Sequence, residues 1–246
     1  MHVARSCGAG GAPPGERSAG RFGLARTFRR AAVLAGALAL AVLSAGLVAC
    51  APGDESTSAD ARERETGFRG VALPDDPRMP DLVLHDTEGA SFDLRARTRG
   101  SVTLLFFGYT HCPDVCPVQM TNLAAVLEEL RPSERSRIQV VFVTTDPERD
   151  TPERLRRWLD RRDATFVGLR GPVEKVNEAQ RKLGLPVSAP QGPDEAADGY
   201  AVGHASQVLA FTPDGRARLA YPFGTRQTDW AHDLPILVDE RRAEDG

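Results

Sequence analysis

Beyond the first thirty residues the chain has no run of basic residues, and its formal net charge is −3 over 246 residues. A nucleic-acid binder that works through a positive face is therefore excluded. No internal repeat is present, so the chain is not a repeat array. Cysteine is scarce, with four residues in all. Two of these, Cys7 and Cys50, belong to an N-terminal segment outside the fold, which leaves Cys112 and Cys116. With no other thiol in the domain, that pair can partner only each other, a metal, or another molecule. What remains is ordinary for a globular protein: 41% hydrophobic and 26% charged residues, enough for a real core in one or two domains.

The N-terminal segment reads as an export signal. Arg21, Arg26, Arg29 and Arg30 precede an uncharged stretch, Ala31 to Ala49, rich in Ala, Leu and Val. Such a stretch is a signal-peptide core at the long end of its range, and residues 1–49 are expected to be removed. An uncleaved anchor is the alternative, because 19 residues at about 1.5 Å each nearly span a bilayer. Leu47-Val48-Ala49-Cys50 resembles a bacterial lipobox, which makes Cys50 the lipidated first residue of the mature chain. Either way the domain is tethered to the outer face of the bacterial cytoplasmic membrane. Loss of residues 1–49 removes six Arg and one Glu, leaving 25 basic against 33 acidic residues, a net −8. Residues 50–75 read as a flexible polar tether, 76–240 as the folded domain and 241–246 as a disordered tail.

The informative stretch is VTLLFFGYTHCPDVCPVQM, Val102 to Met120. Val102 to Phe107 is a short apolar run with β-branched and aromatic members, as in a strand buried on both faces. Gly108 breaks it. From Met120 the apolar residues Leu123, Ala124, Leu127 and Leu130 recur at helical spacing. Pro117 is expected at the first helical position, with Cys116 pushed out of the helical region. The two cysteines then sit in a tight loop at a helix N-terminus, where the dipole favours thiolate. Thiolate attacks disulfides and also binds metal; two thiolates select soft ions such as Cu(I), and an added imidazole also suits Cu(II) or zinc.

Around this corner the pattern is of α/β class: a central mixed sheet flanked by helices. Asp81 to Leu94 alternates about Glu88-Gly89 as an N-terminal β-hairpin, and Arg95 to Gly100 follows as a loop. Strands are expected at Ile138–Thr144, Thr165–Leu169, Ala205–Phe211 and Arg216–Tyr221. Helices are expected from Thr151, as cap with Pro152 at the first position, and over Pro172–Leu183 up to Gly184. Pro186 to Gly199 is a loop rich in Pro, Gly and acid. The last segment, Thr228 to Val238, is helical, with Pro235 expected to kink or end it.

The motifs go further than the pattern. GYTHCPDVCP (Gly108–Pro117), VTTDPERDTPE (Val143–Glu153) and GHASQVLAFTPDG (Gly203–Gly215) resemble three blocks of the Sco/SenC family of copper chaperones, which has a thioredoxin-like fold. The similarity runs from about Asp81 to Leu237. It implies a copper site, for Cu(I) or Cu(II), made of Cys112, Cys116 and His204. It also implies a role in assembling the binuclear copper centre of cytochrome c oxidase, with that enzyme's copper-site subunit and a thiol reductant as partners. Among the other residues, Asp114 is either a turn residue or a group that tunes the thiols. Asp146 is either turn chemistry at Asp-Pro or a group that orients the site. His111 reads as surface or structural, His85 and His232 as surface, and Phe107 and Tyr109 as core.

Two functions of different class remain. One is a metallochaperone without catalytic turnover. The other is a thiol-disulfide oxidoreductase using Cys112 and Cys116 as its redox pair. General thioredoxin-like reductases place two residues between their cysteines, and here there are three. They also carry a cis proline before the strand facing the site, and no proline lies between Gly199 and Phe211. Both departures favour metal.

Overall fold

The structure, a computed structural model, describes residues 66–192 and 200–244, with side chains to residue 239. The signal segment, Cys50, most of the tether and residues 193–199 of the acidic loop lie outside the described residues. No helix among the described residues is long and apolar enough to cross a membrane.

The folded part begins earlier than expected. Phe68 is buried, and β1 (Val71–Ala72) pairs with a strand near the C-terminus. What draws residues 68–72 out of the tether is Asp233, fully buried, which accepts from the backbone N–H of Gly70 at 2.8 Å and of Arg69 at 3.0 Å. Next come β2 (Val83–Asp86) and β3 (Ser91–Asp93), the expected hairpin, with Gly89 at φ +84 in its turn. A short helix, α1 (Leu94–Thr98), replaces the expected loop. The Asp93 side chain caps it by accepting from Ala96 N–H at 3.0 Å, and Leu94 and Thr98 bury one face.

β4 (Val102–Gly108) is buried along its whole length. α2 (Val115–Glu129) starts before Pro117, so Cys116 lies inside its first turn rather than ahead of it. Proline is tolerated there because first-turn N–H groups have no intrahelical acceptor. After the short α3 (Pro132–Arg135) come β5 (Ile138–Thr144) and α4 (Pro152–Asp160), whose cap is Thr151 as expected, accepting from Arg154 N–H at 3.3 Å. β6 (Val167–Arg170) and α5 (Val173–Lys182) follow; Gly184 ends that helix at φ +67.

The acidic loop is not all irregular. β7 (Ala189–Gln191) and β8 (Ala201–Gly203) pair as a separate two-stranded ribbon. β9 (Val208–Phe211) starts three residues later than expected, so His204 lies between β8 and β9 rather than at the head of a strand. β10 (Ala217–Tyr221) leads to α6 (Gln227–Glu244), which runs through Pro235 and through residues 241–244 of the expected tail. Trp230, Leu234, Leu237 and Val238, all buried, hold it on both sides of the proline.

The main sheet has the order β1-β10-β9-β4-β5-β6-β2-β3. β4, β5 and β6 are parallel, and β9 and β2 flank them antiparallel. Alternate residues of β4 feed two cores. Leu104 and Phe106 face α2, α4 and α6, whereas Leu105 and Phe107 face α5 and the hairpin. This is the mixed, helix-flanked, thioredoxin-like sheet expected. Its central parallel strands end at Gly108 and Thr144, and the carboxyl ends of such strands are where α/β sites form.

Candidate metal centre

Both sulfurs are placed by one turn of chain. Cys112 is half-buried in the corner between β4 and α2; Cys116 is fully buried in the first turn of α2. The backbone N–H of Cys116 points to Cys112 Sγ at 3.5 Å. Glycine is required at 108 because a Cβ there would stand 2.7 Å from Cys116 Sγ. The imidazole arrives from a segment 88 residues away: His204 Nε2 lies 3.4 Å from Cys116 Sγ. Its other nitrogen, Nδ1, is 2.8 Å from the carbonyl of Ala205. A carbonyl only accepts, so Nδ1 carries a hydrogen, which leaves Nε2 as the ring nitrogen that faces the sulfurs and can bind a metal. Edge-on packing against Tyr109 and Phe106, with centroids 5.6 and 5.9 Å away, fixes the ring plane. Gln119 ties the segment to α2, donating from Nε2 to Ser206 O at 3.1 Å.

Cys112 Sγ, Cys116 Sγ and a His204 ring nitrogen all lie within 4.8 Å of one another, Nε2 being the nitrogen beside Cys116. One ion bonded to all three requires donor separations up to about 4.6 Å, given metal–sulfur and metal–nitrogen bonds of about 2.0–2.3 Å. Two soft sulfurs and an imidazole freed at Nε2 fit a copper ion. The thiols are unequal. The bond from the Cys116 thiol, then that from the His204 side chain, helped by backbone N–H groups of Cys116 and Asp114, holds Cys112 down to about 3 against the opposing effect of burial. Burial pushes Cys116 well above the ordinary thiol range, and the neighbouring Cys112 charge adds to this. The metal-free reduced pair is therefore a Cys112 thiolate beside a Cys116 thiol. Alkylation of the reduced, chelated chain should label Cys112 alone, at a rate nearly flat between about pH 5 and 8. An ordinary thiol slows about tenfold per pH unit below its pKa of about 8.5. A rate that climbs in that ordinary way would contradict a depressed Cys112.

The remaining expected residues fall as follows. Asp114 is exposed at the N-cap of α2, and its side chain makes no capping bond. Asp146 is buried, pairs with Arg149 and accepts from Tyr200 Oη at 2.9 Å. His111 turns from the sulfurs toward Asp150, with Nδ1 3.8 Å from Oδ1. Phe107 and Tyr109 are core, and His85 is exposed. His232, expected on the surface, is partly buried with Nδ1 2.8 Å from Asp233 Oδ1. His111, Asp146 and Asp150 form a second group of donor atoms within 4.8 Å. Both carboxylates there are already engaged. Asp150, fully buried, accepts from the N–H and hydroxyl of Thr110 and from the Thr144 hydroxyl. That ties the chain just before Cys112 to the end of β5. Sequence reasoning missed Asp150, Gln119 and Tyr200. Asp150 could have been found from its place four residues after Asp146 in the second motif block.

A family model described as SCO1/SenC matches residues 74–239. The chain belongs to the SCO1/SenC family. Among its relatives, a Stutzerimonas stutzeri protein named as copper-binding is 34% identical over 172 residues, covering 70% of this chain and 82% of that protein. The mitochondrial SCO2 homolog of Mus musculus is 35% identical over 136 residues, 55% of this chain and 52% of its own length, so the chain spans about half of that relative. Of solved SCO1/SenC-type structures, apo Sco1 from Thermus thermophilus superposes with a TM-score of 0.60 at 34% identity, covering 69% of this chain and 96% of that one. Bradyrhizobium japonicum ScoI, solved with copper bound, superposes with a TM-score of 0.56 at 25% identity, covering 68% and 99%.

Proposed function

We propose that this SCO1/SenC protein is a copper metallochaperone. It takes one copper ion between Cys112, Cys116 and His204 and passes it to the binuclear copper centre of cytochrome c oxidase. The observation that carries the reading is the convergence of two sulfurs from one helix turn with an imidazole 88 residues away. Copper is the cargo here, and the copper-named and copper-bound relatives support it. The oxidase as recipient rests on the Sco/SenC resemblance of the three motif blocks. A diacylglycerol on Cys50 would hold the domain at the outer face of the membrane, within reach of such a subunit.

Only the reduced pair can ligate, because a Cys112–Cys116 disulfide leaves no thiolate. Two electrons and two protons from a thiol reductant must reopen that disulfide before loading. Equilibrium dialysis should therefore give one copper per reduced chain and none per oxidised chain. Removal of the imidazole in His204→Ala should leave a weaker two-sulfur Cu(I) site. Cu(II) affinity should fall by more than the roughly 10–100-fold typical of losing a mere supporting contact. Unchanged Cu(II) affinity would argue against the imidazole as ligand.

One observation favours a second reading. A half-buried thiolate at Cys112 backed by a buried thiol at Cys116 is the asymmetry of an attacking and a resolving cysteine in disulfide exchange. Rapid reduction of insulin by the reduced, metal-free chain would favour that oxidoreductase; absence of turnover beside stoichiometric copper would leave the chaperone.

A further inference from the structure

His204 hangs on a segment that the main sheet does not hold. Among the described residues β8, which delivers it, pairs only with β7, and β7 is exposed at every residue. Core packing of Val202 and Ala205, a hydrogen bond between Tyr109 and the Val202 backbone, and side-chain attachments at either end place the segment. Downstream of His204 the attachment is the Gln119 bond to Ser206 O. Upstream stands Tyr200, four residues before the ligand. Its hydroxyl donates to Asp146 Oδ1 at 2.9 Å, and the Arg149 guanidinium lies 3.8 Å from its ring centroid. Asp146 and Arg149 pair with each other. Asp146 is also fixed at its own backbone, where its N–H donates to Thr144 Oγ1 at 3.0 Å, and Thr144 Oγ1 in turn donates to Asp150. Asp150 holds Thr110, two residues before Cys112. A continuous chain of contacts thus runs from the sulfur corner through Asp150, Thr144 and Asp146 to the ring of Tyr200.

We infer that Tyr200, gripped by Asp146 and Arg149, is the positioning residue that holds the His204 segment against the two cysteines. It acts through His204 and touches no metal. The inference rests on the metal-centre reading for its purpose, though the placement exists in the metal-free chain. A guanidinium stacked on the ring and a buried carboxylate acceptor for the hydroxyl add to the burial of Val202 and Ala205 on either side of the ligand in setting where the imidazole stands. Releasing the clamp should free the imidazole and leave the sulfurs where they are.

The test is Tyr200→Phe, which keeps the ring under Arg149 and deletes only the hydroxyl. In the reduced, metal-free full chain, nuclear Overhauser contacts between the His204 ring and the rings of Tyr109 and Phe106 should weaken or vanish, with the remaining spectrum unchanged. In the same variant Cu(II) affinity should fall about tenfold, the low end of the effect of a lost orienting contact, while Cu(I) affinity stays. Added to His204→Ala, the change should cost no further Cu(II) affinity, since both act through one ring. Retained ring contacts would overturn the inference. So would equal losses of Cu(I) and Cu(II) affinity, which mark a general loosening. A wild-type chain that takes no copper would overturn the metal reading instead, and the ring contacts would still decide the clamp.

Discussion

Cys116→Ser removes stoichiometric copper from the chain while leaving it folded. The substitution is nearly isosteric, and the site is one of full burial in the first turn of α2. The serine hydroxyl is not ionised at neutral pH and is a hard donor, so the site keeps one thiolate and one imidazole. The serine hydroxyl can still donate to the Cys112 thiolate, as the Cys116 thiol does, so the substitution removes one metal donor and leaves the other sulfur in place. The affinity for Cu(I) should fall well beyond the roughly 10–100-fold of a lost supporting contact. Competition with a Cu(I) chelator measures this, and copper retained at one per chain would reject Cys116 as a ligand.

The second large effect is on the fold, at Asp150. Its carboxylate is fully buried and serves as the common acceptor for Thr110 and Thr144. Asp150→Ala leaves the Thr110 N–H and the two hydroxyls without that acceptor, each orphan costing about 1–3 kcal/mol. Burial opposes the charge of Asp150 and raises its pKa, so deleting the carboxylate returns part of that cost. A net loss of about 3 kcal/mol is expected, or about 6–12 °C in Tm for a domain of this size. Because Thr110 leads into Cys112, the variant should also bind copper more weakly. Asp150→Asn keeps an acceptor and the volume, and should lose less. A melting midpoint within a degree or two of wild type for Asp150→Ala would contradict the bracing role.

What the sequence reveals follows from how local each cause is. The buried run Val102–Phe107 and the helical spacing from Met120 are local patterns, and both elements form, although α2 begins two residues earlier than expected. The Thr151-Pro152 cap and the Gly184 stop are read from single residues with one physical job each. Elements made by distant partners are hidden. β1 has two residues and no pattern, and it exists because Asp233 and β10 hold it. The start of α2 is missed because the bias that proline imposes on the preceding residue is weaker than the packing that buries Cys116. At the site, the two cysteines announce themselves by spacing. His204 does not, since nothing near it in the chain says where its ring points; only the family resemblance links it to the thiols. Asp150 and Tyr200 act across 40 and 54 residues on Thr110 and Asp146, contacts that no local pattern records.

X-ray absorption at the copper edge of the reduced, copper-loaded full chain tests the central claim most directly. The account predicts two sulfur scatterers and one imidazole nitrogen per copper, with the imidazole signal absent in His204→Ala. A first shell with a single sulfur, or one unchanged when His204 is replaced, would contradict it.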